Sequence, residues 1–186
     1  MSPIVVVPKK SGKLRVCVNL KKVKAATIRD NYPLPITKHV LERVVGKEAY
    51  SFLDGFLGYN QVSIAPQDQY KIAFTTKWGI FTYRVMPFGL TNAATTFQRL
   101  TSHAFKEYMC DFLEVYMDDL YVHSKNQPNH IKHLIMVFEK CQVYQICLNP
   151  DKCVFMVCQG KILGHIVSKN EISTDFDKIK IIVKLP

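Results

Sequence analysis

Apolar side chains recur along this chain with the two-residue period of strands in some stretches and with helical spacing in others. Residues 4–7 are apolar and mostly β-branched, residues 14–20 alternate apolar with polar or small side chains, and a Ser-Gly turn lies between them. This pattern predicts a β-hairpin with a basic tip. Short runs rich in apolar and aromatic residues predict further strands at residues 49–53, 71–75, 78–85, 112–116, 120–123 and 162–167.

Other stretches carry apolar side chains at helical spacing. They predict helices over residues 36–45, with Thr37 as the N-cap, over residues 92 to about 108, and over residues 128–143. The histidines of the second and third helices are interpreted as solvated, namely His103, His130 and His133. Hairpins that are separate from helices favour an α+β fold.

Charge and composition narrow the class of protein. Lysine and arginine outnumber acidic residues 25 to 15, for a formal charge of +10, which favours a polyanionic partner. No apolar run approaches the roughly 18 residues of a membrane-spanning helix, so no membrane partner is expected. The six cysteines form no C-x-x-C pair, which favours reduced thiols and an intracellular protein.

The predicted hairpin at residues 112–123 has an unusual turn. Tyr116-Met117-Asp118-Asp119 places two adjacent carboxylates between apolar strands and contains neither glycine nor asparagine, which such turns usually recruit. Adjacent carboxylates repel one another unless a cation neutralises them, and oxygen ligands suit magnesium. An exposed acidic turn without a function is the alternative interpretation.

A third carboxylate strengthens the metal hypothesis. Asp54 ends an apolar strand immediately before a glycine. If that strand and the hairpin are neighbours, Asp54 and Asp118 converge on one pair of metal ions, which can activate an attacking oxygen and stabilise a leaving one. Taken alone, Asp54 is equally consistent with a turn-capping aspartate.

Several segments, in order along the chain, resemble those of one known family. They are residues 2–5, 15–19, 30–35, 52–54 with 58–61, 86–93, 116–119, 148–153 and 163–165. The most specific are Met-Pro-Phe-Gly-Leu-Thr-Asn-Ala at 86–93 and Tyr-Met-Asp-Asp at 116–119. Nearly end to end, the chain resembles the reverse transcriptase domain of gypsy-type LTR retrotransposons and retrovirus-related Pol polyproteins.

The resemblance implies a right-hand polymerase fold in which helices back an antiparallel palm sheet. It implies one reverse transcriptase domain over residues 1–186, with fingers at about 1–30 and 62–92, palm at about 31–61 and 93–168, and the start of a thumb connection at 169–186. The thumb is expected to be absent. A fragment is therefore expected, which is an excised domain, a decayed genomic copy or a partial gene model. An intact gene would add a thumb, ribonuclease H and integrase. By analogy with the replication of retroelements, the resemblance implies a location in the cytoplasm or the nucleus.

The resemblance also implies a chemistry and its residues. An RNA-directed DNA polymerase adds a deoxynucleoside triphosphate to a primer 3′-hydroxyl on an RNA or DNA template, with two Mg²⁺ ions, or Mn²⁺, as cofactors. By this resemblance the catalytic and metal-binding residues are Asp54, Asp118 and Asp119. The nucleotide-binding residues are Lys10, Arg15, Tyr59 as the steric gate under the sugar, Phe88 and Gly89. The primer and template residues are Gln98, Tyr116, Met117, Leu163 and Gly164.

Some positions depart from the family pattern. Asn19 stands where aspartate is usual, Ala94 where proline is usual, and Leu185 where tryptophan is usual. None of these departures removes a predicted metal ligand, although they weaken the expected nucleotide pocket. The alternative hypothesis is therefore a catalytically weak or inactive retroelement remnant that only binds nucleic acid.

Overall fold

The computed structural model describes residues 2–8, 12, 14–175, 179–180 and 183. The strands are β1 (Ile4–Pro8), β2 (Leu14–Val18), β3 (Ala49–Asp54), β4 (Phe74–Thr76), β5 (Gly79–Phe81), β6 (Leu113–Tyr116), β7 (Asp119–Ser124), β8 (Val154–Val157), β9 (Gln159–Ile162), β10 (His165–Ser168) and β11 (Ile172–Thr174). The helices are α1 (Lys21–Ala26), α2 (Thr37–Val44), α3 (Pro66–Gln69), α4 (Ala93–Ala104) and α5 (Gln127–Val143), with 3₁₀ turns at Gly58–Gln61 and Tyr70–Ile72.

The predicted mixture of hairpins and separate helices is confirmed, and several boundaries differ from the expectation. The helix that begins near residue 92 ends at Ala104, and the predicted strand 162–167 is a hairpin interrupted by Leu163 and Gly164. Thr37 is the first helical residue, so it is not the N-cap; Ile36 occupies that position without a side-chain hydrogen bond. Among the described residues, no helix has the length and apolar character needed to cross a membrane, and all six cysteines are free thiols.

The chain divides into two compact units. The first comprises Met1–Tyr32 and Leu57–Phe97, and contains the antiparallel pairs β1–β2 and β4–β5. The side chain of Asn92 ties it together, because its amide donates to the carbonyl of Ile28 at 2.9 Å and its oxygen accepts from the backbone N–H of Asp30 at 3.1 Å.

The second unit comprises Pro33–Phe56 and Gln98–Pro186. Its central sheet has the strand order β6-β7-β3-β8, with all pairs antiparallel, and β9, β10 and β11 form a second sheet. Successive side chains of β7 point to opposite faces. Val122 therefore joins a core with Leu134 and Val137 of α5, whereas Tyr121 joins a core with Val40 of α2.

A buried ion pair fastens α2 to the sheet. Arg43 donates to both carboxylate oxygens of Glu114, from Nε at 2.6 Å and from Nη2 at 2.7 Å, and the Glu114 side chain is only 2% exposed. The hydrogen bond to Glu114 is the main reason that the pKa of Arg43 is raised. A buried carboxylate that loses its partner is strongly destabilising, so this pair fixes the position of α2.

We expect Arg43→Met to lower the free energy of unfolding by about 2 to 3 kcal/mol, because it leaves Glu114 charged and unpaired in the interior. Lys38→Met is the matched control on the same helix, since the Lys38–Glu42 pair is exposed and such pairs contribute less than about 1 kcal/mol. Urea denaturation measures both variants. Equal losses for the two would contradict this account.

A buried histidine network lies between α5 and the sheet. His130 is fully buried, so the interpretation of this residue as solvated is wrong. Its ring nitrogens lie 2.8 Å from the hydroxyls of Ser51 and Ser124, and Ser124 also contacts His133 Nδ1 at 2.8 Å. His123 is 1% exposed, and its ring nitrogens have no hydrogen-bond partner among the described residues. Burial lowers the pKa of His130 from 6.5 to about 4 and that of His123 to about 3.

These histidines make stability depend on pH. Their pKa values are lower in the folded chain than in the unfolded one, so the unfolded state binds protons first as the pH falls. The stabilisation is complete above about pH 6.5 and is lost progressively as the pH falls towards about 4 and 3. We expect the urea midpoint to fall between pH 7 and pH 5, a window above the usual carboxylate titrations. His130→Gln should flatten this dependence and His39→Gln, at an exposed position, should not; a pH-independent midpoint in the parent chain would refute the prediction.

Candidate active site

Strand pairing brings the predicted carboxylates of the second unit together. In the antiparallel pair β3–β7, Asp54 lies directly opposite Asp119. The backbone N–H of Gly55 donates to the carbonyl of Asp118 at 2.9 Å, so the pairing continues one residue past the strand end. The three aspartates therefore lie at one end of the central sheet, where a rigid scaffold fixes them.

The acidic turn is held from below by a buried amide. Tyr116 pairs with Asp119 across the hairpin, which leaves a two-residue turn with Met117 at φ +56°. Gln98 is fully buried, and its Oε1 accepts from the Met117 N–H at 2.5 Å while its Nε2 donates to the Val115 carbonyl at 3.3 Å. Turns of this kind usually use glycine or asparagine, which adopt a positive φ at little cost. Here the two hydrogen bonds from Gln98 offset the cost of the positive φ at Met117.

Asp119 lies in a partly buried, negatively charged position. Burial raises its pKa, and the neighbouring charges of Asp118 and Asp54 raise it further, while a hydrogen bond from Tyr121 lowers it. The Tyr121 hydroxyl donates to Asp119 Oδ2 at 3.1 Å. Burial and the charge of Asp119 raise the pKa of Tyr121, so its hydroxyl keeps the proton that it donates.

Asp54 has a lysine partner. Lys152 Nζ lies 3.0 Å from both carboxylate oxygens of Asp54. Both residues line a cavity of about 120 Å³, together with Phe52, Asp119, Tyr121 and Lys161. Among the described residues, no three His, Cys, Asp or Glu side chains stand in an arrangement that could hold a metal ion.

The sequence profile of the family described as "Reverse transcriptase (RNA-dependent DNA polymerase)" matches residues 7–167. The chain belongs to this family. The Retrovirus-related Pol polyprotein from transposon 297 of Drosophila melanogaster is 34% identical across the whole chain, and the Transposon Tf2-3 polyprotein of Schizosaccharomyces pombe is 32% identical across 90% of it. The chain spans 18% and 12% of the lengths of these two polyproteins.

Solved structures support the same fold. A foamy viral protease-reverse transcriptase in complex with double-stranded DNA has a TM-score of 0.91 at 20% identity, covering 100% of this chain and 32% of that one. A foamy viral protease-reverse transcriptase in complex with an RNA/DNA hybrid has a TM-score of 0.86 at 19% identity, covering 100% of this chain and 25% of that one. The reverse transcriptase polymerase fold expected from the motifs is therefore confirmed, whereas the gypsy-type assignment stays a prediction.

The nucleotide-binding residues that the reverse transcriptase resemblance implies belong to the first unit. The Tyr59 ring packs against Phe88, with ring centroids 5.5 Å apart, and against Phe97 at 6.0 Å. Gly89 adopts φ +99°, a backbone conformation that would be strained in a residue with a side chain. The backbone of Arg15 lies in β2 opposite Val7. Lys10 lies outside the described residues.

The primer and template residues belong to the second unit. Leu163 and Gly164 form the two-residue turn between β9 and β10, both with positive φ, as a type I′ hairpin requires. Tyr116 and Met117 lie in the acidic hairpin and are half-buried. Gln98 is buried and bonded to that hairpin, so in this structure it supports the turn.

Sequence reasoning gave no role to three residues that contact or line the site. Tyr121 follows the acidic turn, Lys152 lies in a segment used only as a family motif, and Lys161 lies beside the β9–β10 turn. A signal was present for Lys152, because Asn149-Pro150-Asp151 before it is a turn sequence. The sequence does not show that this turn lies against Asp54.

The Phe52 ring, which lines the cavity, can occupy its position only because residue 160 has no side chain. A Cβ atom at Gly160 of β9 would overlap Cε2 and Cζ of the Phe52 ring. We expect Gly160→Ala to displace this ring and lower the free energy of unfolding by roughly 1 to 3 kcal/mol. Thermal unfolding measures the loss, with Gln159→Ala at an exposed neighbouring position as the control. An alanine variant as stable as the control would show that the ring moves away at no cost.

Proposed function

We propose that this chain is the catalytic core of an RNA-directed DNA polymerase that acts inside the cell as part of a Pol polyprotein. The observation that carries the proposal is the pairing of Asp54 with Asp119 across β3–β7, with Asp118 beside them, in a member of the reverse transcriptase family. The reaction joins the primer 3′-oxygen to the α-phosphorus of a deoxynucleoside triphosphate, and the bond from that phosphorus to pyrophosphate breaks.

The oxygen chemistry of the three carboxylates suits magnesium, and these side chains would have to close around the ion as it binds. Burial makes the largest contribution to the raised pKa of Asp119, and repulsion from the charges of Asp118 and Asp54 raises it further. A cation beside these carboxylates is therefore favoured. Oxygen ligands from one or two carboxylates, together with substrate phosphates, are the usual magnesium environment. A stand-in cation already lies at this position, because the Lys152 ammonium contacts both oxygens of Asp54. We assign Asp54, Asp118 and Asp119 as the residues that would hold two Mg²⁺ ions, or Mn²⁺.

Divalent ions bound there would neutralise the developing charge and lower the pKa of the attacking hydroxyl. The residues of the chain contribute positioning. Gln98 holds the turn through the Met117 N–H, and Tyr121 orients Asp119 through its hydroxyl. Such fixed carboxylates need little reorganisation during the reaction, which is how preorganised charge accelerates it.

The substrate contacts are proposed from the family. Arg15 and Lys10 would meet the triphosphate, since guanidinium and ammonium groups pair with phosphate oxygens. Tyr59 would be the steric gate under the sugar, and its ring is held in place by packing on Phe88. Gly89 would allow the backbone to approach the nucleotide closely. Tyr116, Met117, Leu163 and Gly164 would contact primer and template. The charge of +10 supports a nucleic-acid partner, so binding should weaken steeply with salt.

Primer extension on an RNA template with Mg²⁺ tests the proposal. We expect Asp54→Asn and Asp118→Asn each to reduce extension by at least about 100-fold, because each removes a charge that would hold the metal. Asp111→Asn, at an exposed position before β6, is the control and should extend like the parent chain.

The outcome separates two functions. If Asp118→Asn extended the primer at the parental rate, the assignment of Asp118 to the catalytic site would be wrong. Salt-sensitive binding of an RNA/DNA hybrid by a parent chain that extends no primer would instead support the nucleic-acid-binding remnant. That second function is favoured by one observation, the absence among the described residues of three side chains already arranged around a metal.

A further inference from the structure

The positively charged partner of Asp54 is the ammonium group of Lys152. Lys152 Nζ lies 3.0 Å from Oδ1 and 3.0 Å from Oδ2, so the ammonium sits symmetrically on the carboxylate. The Lys152 side chain is 62% exposed and that of Asp54 is 20% exposed. A pair with this exposure contributes little stability and opens easily, because water competes for both partners.

The backbone around Lys152 is built to bring it there. The Asn149 N–H donates to the Asp54 carbonyl at 2.8 Å, and the Asp54 N–H donates to Cys153 Sγ at 3.4 Å. Between these two anchors the chain turns tightly, since the N–H of Lys152 and that of Cys153 each donate to the Asn149 carbonyl at 3.1 Å. Lys152 is therefore held beside Asp54 by its backbone as well as by its charge.

The surrounding charges explain why a cation is needed at this point. Asp119 lies opposite Asp54, and the pKa of Asp119 is raised by Asp118 and Asp54 and lowered by Lys152. Without a cation, three carboxylates would repel one another at the end of β3 and β7. The Lys152 ammonium supplies that charge in the metal-free chain, and it occupies the oxygens that a divalent ion would need.

We propose that Lys152 is a built-in counter-ion of Asp54, which a divalent cation must displace before it can bind the site. The inference rests on the proposed function, since it takes Asp54 to be a metal ligand. Metal entry then opens the Lys152–Asp54 pair, and the apparent affinity for metal is lowered by the competition.

The same cavity offers a matched control. Lys161 lines it together with Lys152 and is similarly exposed, at 58% against 62%, but its ammonium pairs with Asp175. Removing either lysine takes one positive charge from the cavity. A general field effect would tighten metal binding in both variants, whereas direct competition would tighten it far more in Lys152→Gln than in Lys161→Gln.

The experiment measures Mn²⁺ binding to the chain by electron paramagnetic resonance, without primer or nucleotide. We expect Lys152→Gln to tighten Mn²⁺ binding by roughly two- to fivefold, the range that corresponds to the loss of one exposed competing ion pair. Lys161→Gln should bind like the parent, and Lys152→Arg should bind no more tightly. Circular dichroism confirms that each variant is folded, because Lys161→Gln leaves Asp175 without this partner.

A second measurement follows the ammonium directly. In a Mg²⁺ titration monitored by ¹⁵N NMR of lysine side chains, the Lys152 Nζ signal should shift with metal binding and the Lys161 signal should not. Equal Mn²⁺ affinity in Lys152→Gln and the parent, or equal tightening in Lys161→Gln, overturns the inference and leaves the proposed function intact. No Mn²⁺ binding by the parent or by Lys152→Gln would remove the metal site itself, and the inference with it.

Discussion

The register of β3 against β7 is the constraint on which the candidate site depends. Asp54 opposes Asp119 only in this pairing, and a slip of one residue would send every side chain of β3 to the other face of the sheet. The slip is opposed by packing, because Leu53 faces the α5 core while Phe52 faces the α2 core. The apolar alternation of one strand therefore fixes where its terminal carboxylate lies.

Buried polar groups then define the geometry that apolar packing leaves open. Gln98 holds the acidic turn through the Met117 N–H, and Arg43 holds the strand leading into that turn through Glu114. Each group is satisfied by a specific partner, which makes the interior costly to rearrange. The acidic hairpin can thus keep a turn with positive φ and closely spaced charges, because Gln98 and the Arg43–Glu114 pair support it.

The charges of the carboxylates at the end of the sheet are partly balanced by neighbouring side chains. Asp119 is partly relieved by the Tyr121 hydroxyl, and Asp54 is neutralised by Lys152. Under the proposed function, the site gathers carboxylates for a divalent cation, and their charge must be balanced when the cation is absent. A lysine on a short turn meets that need at little energetic cost, because an exposed ion pair is weak enough to be exchanged.

The sequence by itself determined the α+β class, the hairpins at residues 4–18 and 113–124, and the family, since these depend on local periodicity and on motifs read in order. It also singled out Asp54 and the Asp118–Asp119 turn. It did not indicate that His130 is buried or that Gln98 lies beneath the turn. Only the tertiary structure placed Lys152 on Asp54, because the two are 98 positions apart and meet only through the packing of the strands and turns between them.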